Sequence, residues 1–149
     1  MGAMMVDVAE GKRVTNANTN HSTPFRLVAL SHVNVTVPAN AEAAAKEFYG
    51  TVLGLTVLPK PPGTRQNVGA WYELGGVQLH LSVEENATNA ASDRHVCYVV
   101  ADVAVAERHL RDSGVEIISD PRPIEGVNRF YVRDPGGNLI EITEAKEQV

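Results

Sequence analysis

Two stretches of this chain repeat one plan, and that repeat limits its fold more than any other feature. Ser31–Glu47 reads SHVNVTVPANAEAAAKE and Arg94–Asp112 reads RHVCYVVADVAVAERHLRD. Each opens on His-Val, runs through β-branched residues, breaks, and enters an Ala-rich helical pattern. After each helix come a short apolar run, an irregular loop and two β-rich runs joined through a Gly-Gly pair, Gly75-Gly76 and Gly136-Gly137. The order is β-α-β-β-β twice. A self-similar period of this length is to be recognised before any fold is assigned. One copy has a single helix on a small sheet, too little to close a core, whereas two copies can bury their open faces together.

The sequence therefore predicts an α+β domain over 25–147, module one spanning about 26–84 and module two about 94–145. Residues 1–24 are polar and aperiodic and are expected to form a disordered tail. Residues 26–37 are expected as the first strand. From His32 onward they alternate, with His32, Asn34 and Thr36 on one face and Val33, Val35 and Val37 on the other. Asn40 is expected to cap a helix over Ala41–Leu53, which Gly54 ends. Leu55–Leu58 reads as a strand, and Pro59–Asn67 as a mobile loop. Val68–Leu74 and Val77–Val83 read as a hairpin, with Gln78, His80 and Ser82 sharing a face. Beyond a polar linker, Glu84–Asp93, the second copy gives a strand over Arg94–Ala101 and a helix Val103–Ser113 capped by Asp102. A strand Val115–Ser119, a loop Asp120–Gly126, and a hairpin of Val127–Arg133 and Asn138–Thr143 complete it.

Composition narrows the function. The net charge is −5, aromatics make up 5%, and no basic block is present, so a nucleic-acid partner is not expected. No apolar run approaches the ~20 residues of a membrane span, and the first residues lack the apolar core of a signal peptide. The single cysteine, Cys97, excludes an intrachain disulfide and points to a reducing, cytoplasmic compartment.

Superimposing the copies brings out a constellation. His32 falls on His95. His80 lies four residues beyond Gly76 and Glu141 four beyond Gly137, so these coincide too. Four positions under one repeat operation carry three imidazoles and a carboxylate, a donor set suited to a divalent metal of intermediate softness. One histidine on a strand is more often solvated or hydrogen-bonded than a ligand, and Glu141 beside Glu144 and Glu147 reads equally as solvated charge. The coincidence under the repeat shifts the balance. The other histidines, His21 in the tail and His109 on an exposed helix side, fall outside it. The histidine-bearing face also carries Asn34, Thr36, Gln78 and Ser82, too polar for a dry core.

The segments SHVNVTV, EFYGTVLGL, GGVQLHLSV, HVCYVVADV and DPGGNLIEI resemble the vicinal oxygen chelate superfamily, which includes glyoxalase I, bleomycin-resistance proteins, fosfomycin thiol transferases and extradiol dioxygenases. The resemblance covers about residues 26–145. It implies two βαβββ modules forming a cupped mixed sheet around a central cavity, with the helices on the outer face. It further implies a metal (Zn, Ni, Mn, Fe or Co) held by His32, His80, His95 and Glu141, ligands from the first and last strands of each module. Glyoxalase I usually has Glu or Gln where His80 stands, so His80 is either a fourth ligand or a base. The implied activity is that of a glyoxalase-type lyase or isomerase on a small oxygen-rich substrate. Glu141 is the first candidate base, His80 the second, and Asn34, Gln78 and Arg129 are substrate contacts. Trp71 and Tyr72 are further candidates to line the pocket. The alternatives are a metal-free binding protein of the bleomycin-resistance kind, a fosfomycin-type thiol transferase, or a dioxygenase. Asn34 stands where the fosfomycin enzymes have Thr, and common extradiol dioxygenases are about twice as long. A homodimer is expected, with the site within one chain or shared across two.

Overall fold

The computed structural model describes residue 25 and residues 27–145. The tail expected over 1–24 lies outside these. The strands are β1 (His32–Val37), β2 (Thr56–Leu58), β3 (Ala70–Leu74), β4 (Val77–Val83), β5 (His95–Val100), β6 (Ile118–Ser119), β7 (Arg129–Arg133) and β8 (Leu139–Glu144). The helices are α1 (Glu42–Glu47) and α2 (Val103–Asp112). The strands form two four-stranded mixed sheets, ordered β1-β4-β3-β2 and β5-β8-β7-β6. In each the first strand runs parallel to the last and the other neighbours are antiparallel. The α+β fold of two βαβββ modules is thus as the repeat predicts.

Alternation decides which face is buried. Val35, Val37, Leu79, Leu81 and Tyr72 of the first sheet join Tyr98, Phe130, Val132, Ile140 and Ile142 of the second in one core, with Ala45, Phe48, Tyr49 and Leu110 from the helices. The opposite faces of β1 and β5 remain open: His32, Asn34, His95, Cys97 and Val99 are exposed.

Several boundaries differ from expectation. The strand predicted from residue 26 starts at His32; Leu27, Val28 and Leu30 are exposed and unpaired into sheet. The single helix predicted over 41–53 is broken into a 3-10 turn (Ala39–Ala41), α1, and a π turn (Phe48–Val52). The wide turn is closed by Leu53 N–H donating to Phe48 O at 2.8 Å. Two consecutive aromatics at this turn, Phe48 and Tyr49, are both buried in the core. Asn40 makes no side-chain cap, because the 3-10 turn places it inside the helical segment. Asp102 caps α2 as predicted, accepting from Val105 N–H at 2.9 Å. The strand expected over 115–119 shrinks to Ile118–Ser119. The loop 59–67 is held by its own bonds: Lys60 Nζ donates to the carbonyls of Arg65 and Val68, and Gln66 Nε2 to that of Pro61.

The modules are locked through the second hairpin turn. Asp134 is 4% exposed. Its Oδ1 accepts from the backbone N–H of Gly136 (2.9 Å) and Asn138 (2.8 Å). Its Oδ2 accepts from Tyr49 O–H (2.7 Å) of module one and from Asn138 Nδ2 (2.8 Å). Asn138 Nδ2 and Asn89 Nδ2 both donate to the Thr36 carbonyl, at 2.9 and 2.7 Å. His109, read from sequence as an uninvolved helix residue, donates from Nε2 to the Val52 carbonyl at 2.8 Å, tying α2 to the end of the first helix.

Candidate functional site

The strand registers verify the superposition residue by residue. Asn34 pairs with His80 and His80 with Trp71; in the second sheet Cys97 pairs with Glu141 and Glu141 with Tyr131. One row along, His32, Gln78 and Glu73 correspond to His95, Leu139 and Arg133. All project from the faces opposite the core.

In module one the row is a stack of rings. Trp71 lies on His80 with centroids 3.9 Å apart and planes 5° from parallel. His32 covers the other side at 4.2 Å and 17°. His80 Nε2 and Gln78 Oε1 are 2.8 Å apart, and Ser82 Oγ donates to Asn34 Oδ1 at 2.7 Å. Burial, then the nearby His32 and Lys60 charges, hold the His80 imidazole below its ordinary pKa, which favours the neutral, lone-pair-bearing form. Tyr72 points the other way, into the core, and donates to the Lys46 carbonyl; of the two aromatic candidates only Trp71 is at the site.

In module two the row is a charged network centred on Glu141, which is 8% exposed. Tyr131 O–H donates to its Oε2 at 3.0 Å and Arg129 Nη1 to its Oε1 at 3.4 Å. Arg129 is held in turn by Asp120, Nε to Oδ2 at 2.7 Å. That bond, with the Arg122 backbone N–H, keeps the Asp120 carboxyl below its usual range. Burial, the Glu141 charge and a hydrogen bond to Glu141 push the Cys97 thiol up to about 11.

His95 carries the most informative contact. Its Nδ1 is 2.9 Å from the Asp93 carbonyl. A carbonyl only accepts, so Nδ1 bears a hydrogen and Nε2 is the nitrogen left to face the site. That nitrogen lies 3.2 Å from Glu141 Oε2. Two acceptors this close need a proton or a cation between them. Donors about 2.1 Å from one metal ion sit roughly 3.0–3.4 Å from each other at tetrahedral or octahedral angles. The backbone carbonyl that fixes the ring is the outer-shell arrangement typical of ligating histidines.

The structure thus brings His32 to His80, and His95 to Glu141. It does not gather all four: among the described residues no group of three or more His, Cys, Asp or Glu side chains is placed to hold one ion. Asn34 and His95 line a common cavity of about 370 Å³ between the modules. His95, Arg129 and Tyr131 line another of about 320 Å³ against the β6–β7 loop. Tyr131 and Asp120 were not singled out from sequence. The repeat signals Tyr131, as the counterpart of Trp71, whereas Asp120 sits in a loop without periodicity.

A duplicated βαβββ chain with paired imidazole and carboxylate donors on its open sheet faces defines a narrow class. The sequence model described as Glyoxalase/Bleomycin resistance protein/Dioxygenase superfamily matches residues 29–142, and the chain belongs to that superfamily. A glyoxalase domain-containing protein, RDO1, of Mycosarcoma maydis is 29% identical over 112 residues; these cover 68% of this chain and 60% of the relative, so the match spans under two thirds of its length. A Bacillus anthracis structure assigned to the glyoxalase family is 34% identical with a TM-score of 0.72, over 83% of this chain and all of that one. A lactoylglutathione lyase from Agrobacterium tumefaciens shares the fold, with a TM-score of 0.61 at 21% identity over 80% of this chain and 96% of that one. Among the described residues no helix is long and apolar enough to cross a membrane.

Proposed function

We propose that the chain is a divalent-metal-dependent enzyme of glyoxalase type, a lyase or isomerase acting on a small oxygen-rich molecule. The observation that carries this reading is the 3.2 Å approach of His95 Nε2 to Glu141 Oε2, with the ring fixed from behind by Asp93. His32 and His80 supply the second donor pair at the repeat-equivalent positions. Since one chain presents the pairs separately, the site is completed by a second copy, the open face of β1 meeting the partner's open face of β5. A homodimer follows from that reading.

A bound divalent metal would supply Lewis acidity to two neighbouring substrate oxygens. The remaining work falls to side chains. Glu141 is the base for a proton α to a carbonyl, with Tyr131 O–H and Arg129 orienting its two oxygens. His80, neutral and braced between rings, is the second proton acceptor. Asn34 and Gln78 contact substrate oxygens from the adjoining rows, while Trp71 excludes water on one side.

The test is metal analysis of protein prepared without chelator. Expected is bound Mn, Fe, Ni, Co or Zn, lost in His95→Ala and Glu141→Ala and kept in Arg108→Ala. Mixing His80→Ala with Glu141→Ala chains should restore roughly a quarter of the sites through randomly paired hybrids. Near-zero metal in the wild type after reconstitution sinks the enzyme reading; no recovery on mixing sinks the shared site. One observation favours a second reading, a metal-free small-molecule binder of the bleomycin-resistance kind. The Trp71–His80–His32 stack is a flat aromatic surface suited to a planar ligand, and metal-free protein that still binds planar aromatics would establish it.

A further inference from the structure

The cavity under the β6–β7 loop presents two guanidinium groups that no carboxylate of the described residues contacts directly. Its lining includes Arg122, Arg129 and Arg133 against Asp93 and Asp120, with His95 at its edge. Arg129 is spent on Asp120 and Glu141. The other two arginines are not: among the described residues no carboxylate comes within 4.0 Å of either guanidinium. Arg133 is half-buried on the site face of β7. It is anchored through one nitrogen, Nη1, which donates to the carbonyls of Gly137 (2.8 Å) and Asn89 (3.5 Å). Its Nε and Nη2 make no bond among the described residues and remain as a fork. Arg122 is exposed at the rim, held by its backbone N–H donating to Asp120 Oδ1 at 2.8 Å. The other walls are the side chains of Ile118, Pro121 and Leu139.

A partly buried guanidinium without a counter-ion is unfavourable, and a charge-assisted bidentate partner relieves it. The planar fork matches carboxylate and phosphate oxygens, not a neutral amide. In the sheet, Arg133 pairs with Leu139 and Leu139 with His95, so this fork and the proposed ligand His95 flank one row. The volume, about 320 Å³, suits a small molecule with one charged end and an apolar body.

We propose that this cavity is a subsite for an anionic oxyacid group of the substrate, a carboxylate or a phosphate, with Arg133 and Arg122 as its donors. The inference deepens the enzyme reading and depends on it only for calling the bound molecule a substrate. The test uses chelator-treated full-length protein, titrated by calorimetry or ligand-detected NMR with benzoate, phenyl phosphate and the neutral isostere benzamide. At least one anion should bind about tenfold more tightly than benzamide, and weaken on raising salt. The tighter of the two anions identifies the group. Arg133→Gln should remove that preference, and Arg122→Gln, which disturbs no side-chain contact of the described residues, should reduce it severalfold. Arg108→Gln on the exposed side of α2 should not alter it. Equal binding of benzoate, phenyl phosphate and benzamide, absence of anion binding, or unchanged affinity in both arginine variants would overturn the proposal. Anion binding in a protein that never takes up metal would defeat the enzyme reading and leave the subsite standing.

Discussion

The two modules keep the same backbone register and exchange the chemistry placed on it. At corresponding positions module one has Asn34, His80 and Trp71 and module two has Cys97, Glu141 and Tyr131. Module one packs rings face to face, with little formal charge. Module two holds a carboxylate between an imidazole, a phenol and a guanidinium. One row further, Glu73 stands where module two has Arg133, and the position of Arg129 is taken by Gly69. The buried faces show no such divergence, since both must pack aliphatic and aromatic residues into one shared core. A core tolerates only apolar groups of fitting volume, whereas the open face is free to differ. The fold duplicates a scaffold and builds two unlike halves of a site on it.

The same contrast holds at the hairpin turns, where it is easiest to break. Replacing Asp134 by Ala leaves the buried Tyr49 hydroxyl and two backbone N–H groups without their acceptor and takes one of two acceptors from the Asn138 amide. Each such group costs about 1–3 kcal/mol, so a loss of about 3 kcal/mol or more is expected in urea denaturation. In module one the turn begins with Leu74, half-exposed and free of such duties; Leu74→Ala should cost about 1 kcal/mol. Equal losses would show that the Asp134 network does not lock the modules together.

The Gly-Gly pairs sharpen the point. A Cβ on Gly136 would stand 2.3 Å from Val37 Cγ1, across the junction and against a fully buried side chain. A Cβ on Gly76 meets nothing within 4 Å among the described residues, and its handicap is φ +86°. Gly136→Ala should therefore destabilise by about 2–3 kcal/mol through overpacking, and Gly76→Ala by about 1 kcal/mol through backbone strain. Thermal melts of the two variants compare them directly; a reversed order would place the tight contact in the wrong module.

Much of this was legible in the sequence, because alternation and repetition are written residue by residue. The parity of Val33, Val35 and Val37 against His32, Asn34 and Thr36 assigned the faces correctly, and the repeat paired His32 with His95 and His80 with Glu141. What failed were features set by tertiary packing. The first helix breaks into three geometries around the core residues Phe48 and Tyr49, and its apolar pattern does not mark the breaks. His109 is exposed on its helix as expected, but its bond to the Val52 carbonyl of the other module has no local signal. Asp134, part of a recognisable DPGGN turn, could be read as turn chemistry but not as the acceptor for a tyrosine eighty-five residues away. The assembly of the donors was also illegible: sequence superposition gives equivalence under the repeat, not distance, and the four residues form two pairs, one within each module.

The smallest expected effect concerns how each module braces the repeat position that Gly69 and Arg129 share. In module one the carboxylate comes from the helix: Glu42 Oε1 accepts from Gly69 N–H at 2.8 Å and pairs with Lys46 at 2.7 Å. In module two it comes from the loop, as Asp120 on Arg129. The hydrogen bond from Lys46, then that from Gly69, holds the Glu42 carboxyl below its ordinary value of 4.5. A carboxyl whose folded pKa is depressed binds fewer protons folded than unfolded. Its contribution is therefore complete above the unfolded pKa and lost as pH falls through the folded one. Glu42→Gln keeps an acceptor for Gly69 but removes the charge, so variant and wild type should differ at neutral pH and converge in acid. The gap is expected to stay under about 1 kcal/mol, as for other solvent-screened pairs, and high salt should narrow it. Melting temperatures measured from neutral pH into acid read it out. Asp120→Asn should converge with the wild type in the same direction while also freeing Arg129 to rearrange around Glu141. If Glu42→Gln tracks the wild type at a constant offset through the acid range, the Glu42 bond is a neutral contact, and the two modules brace this position by different physics.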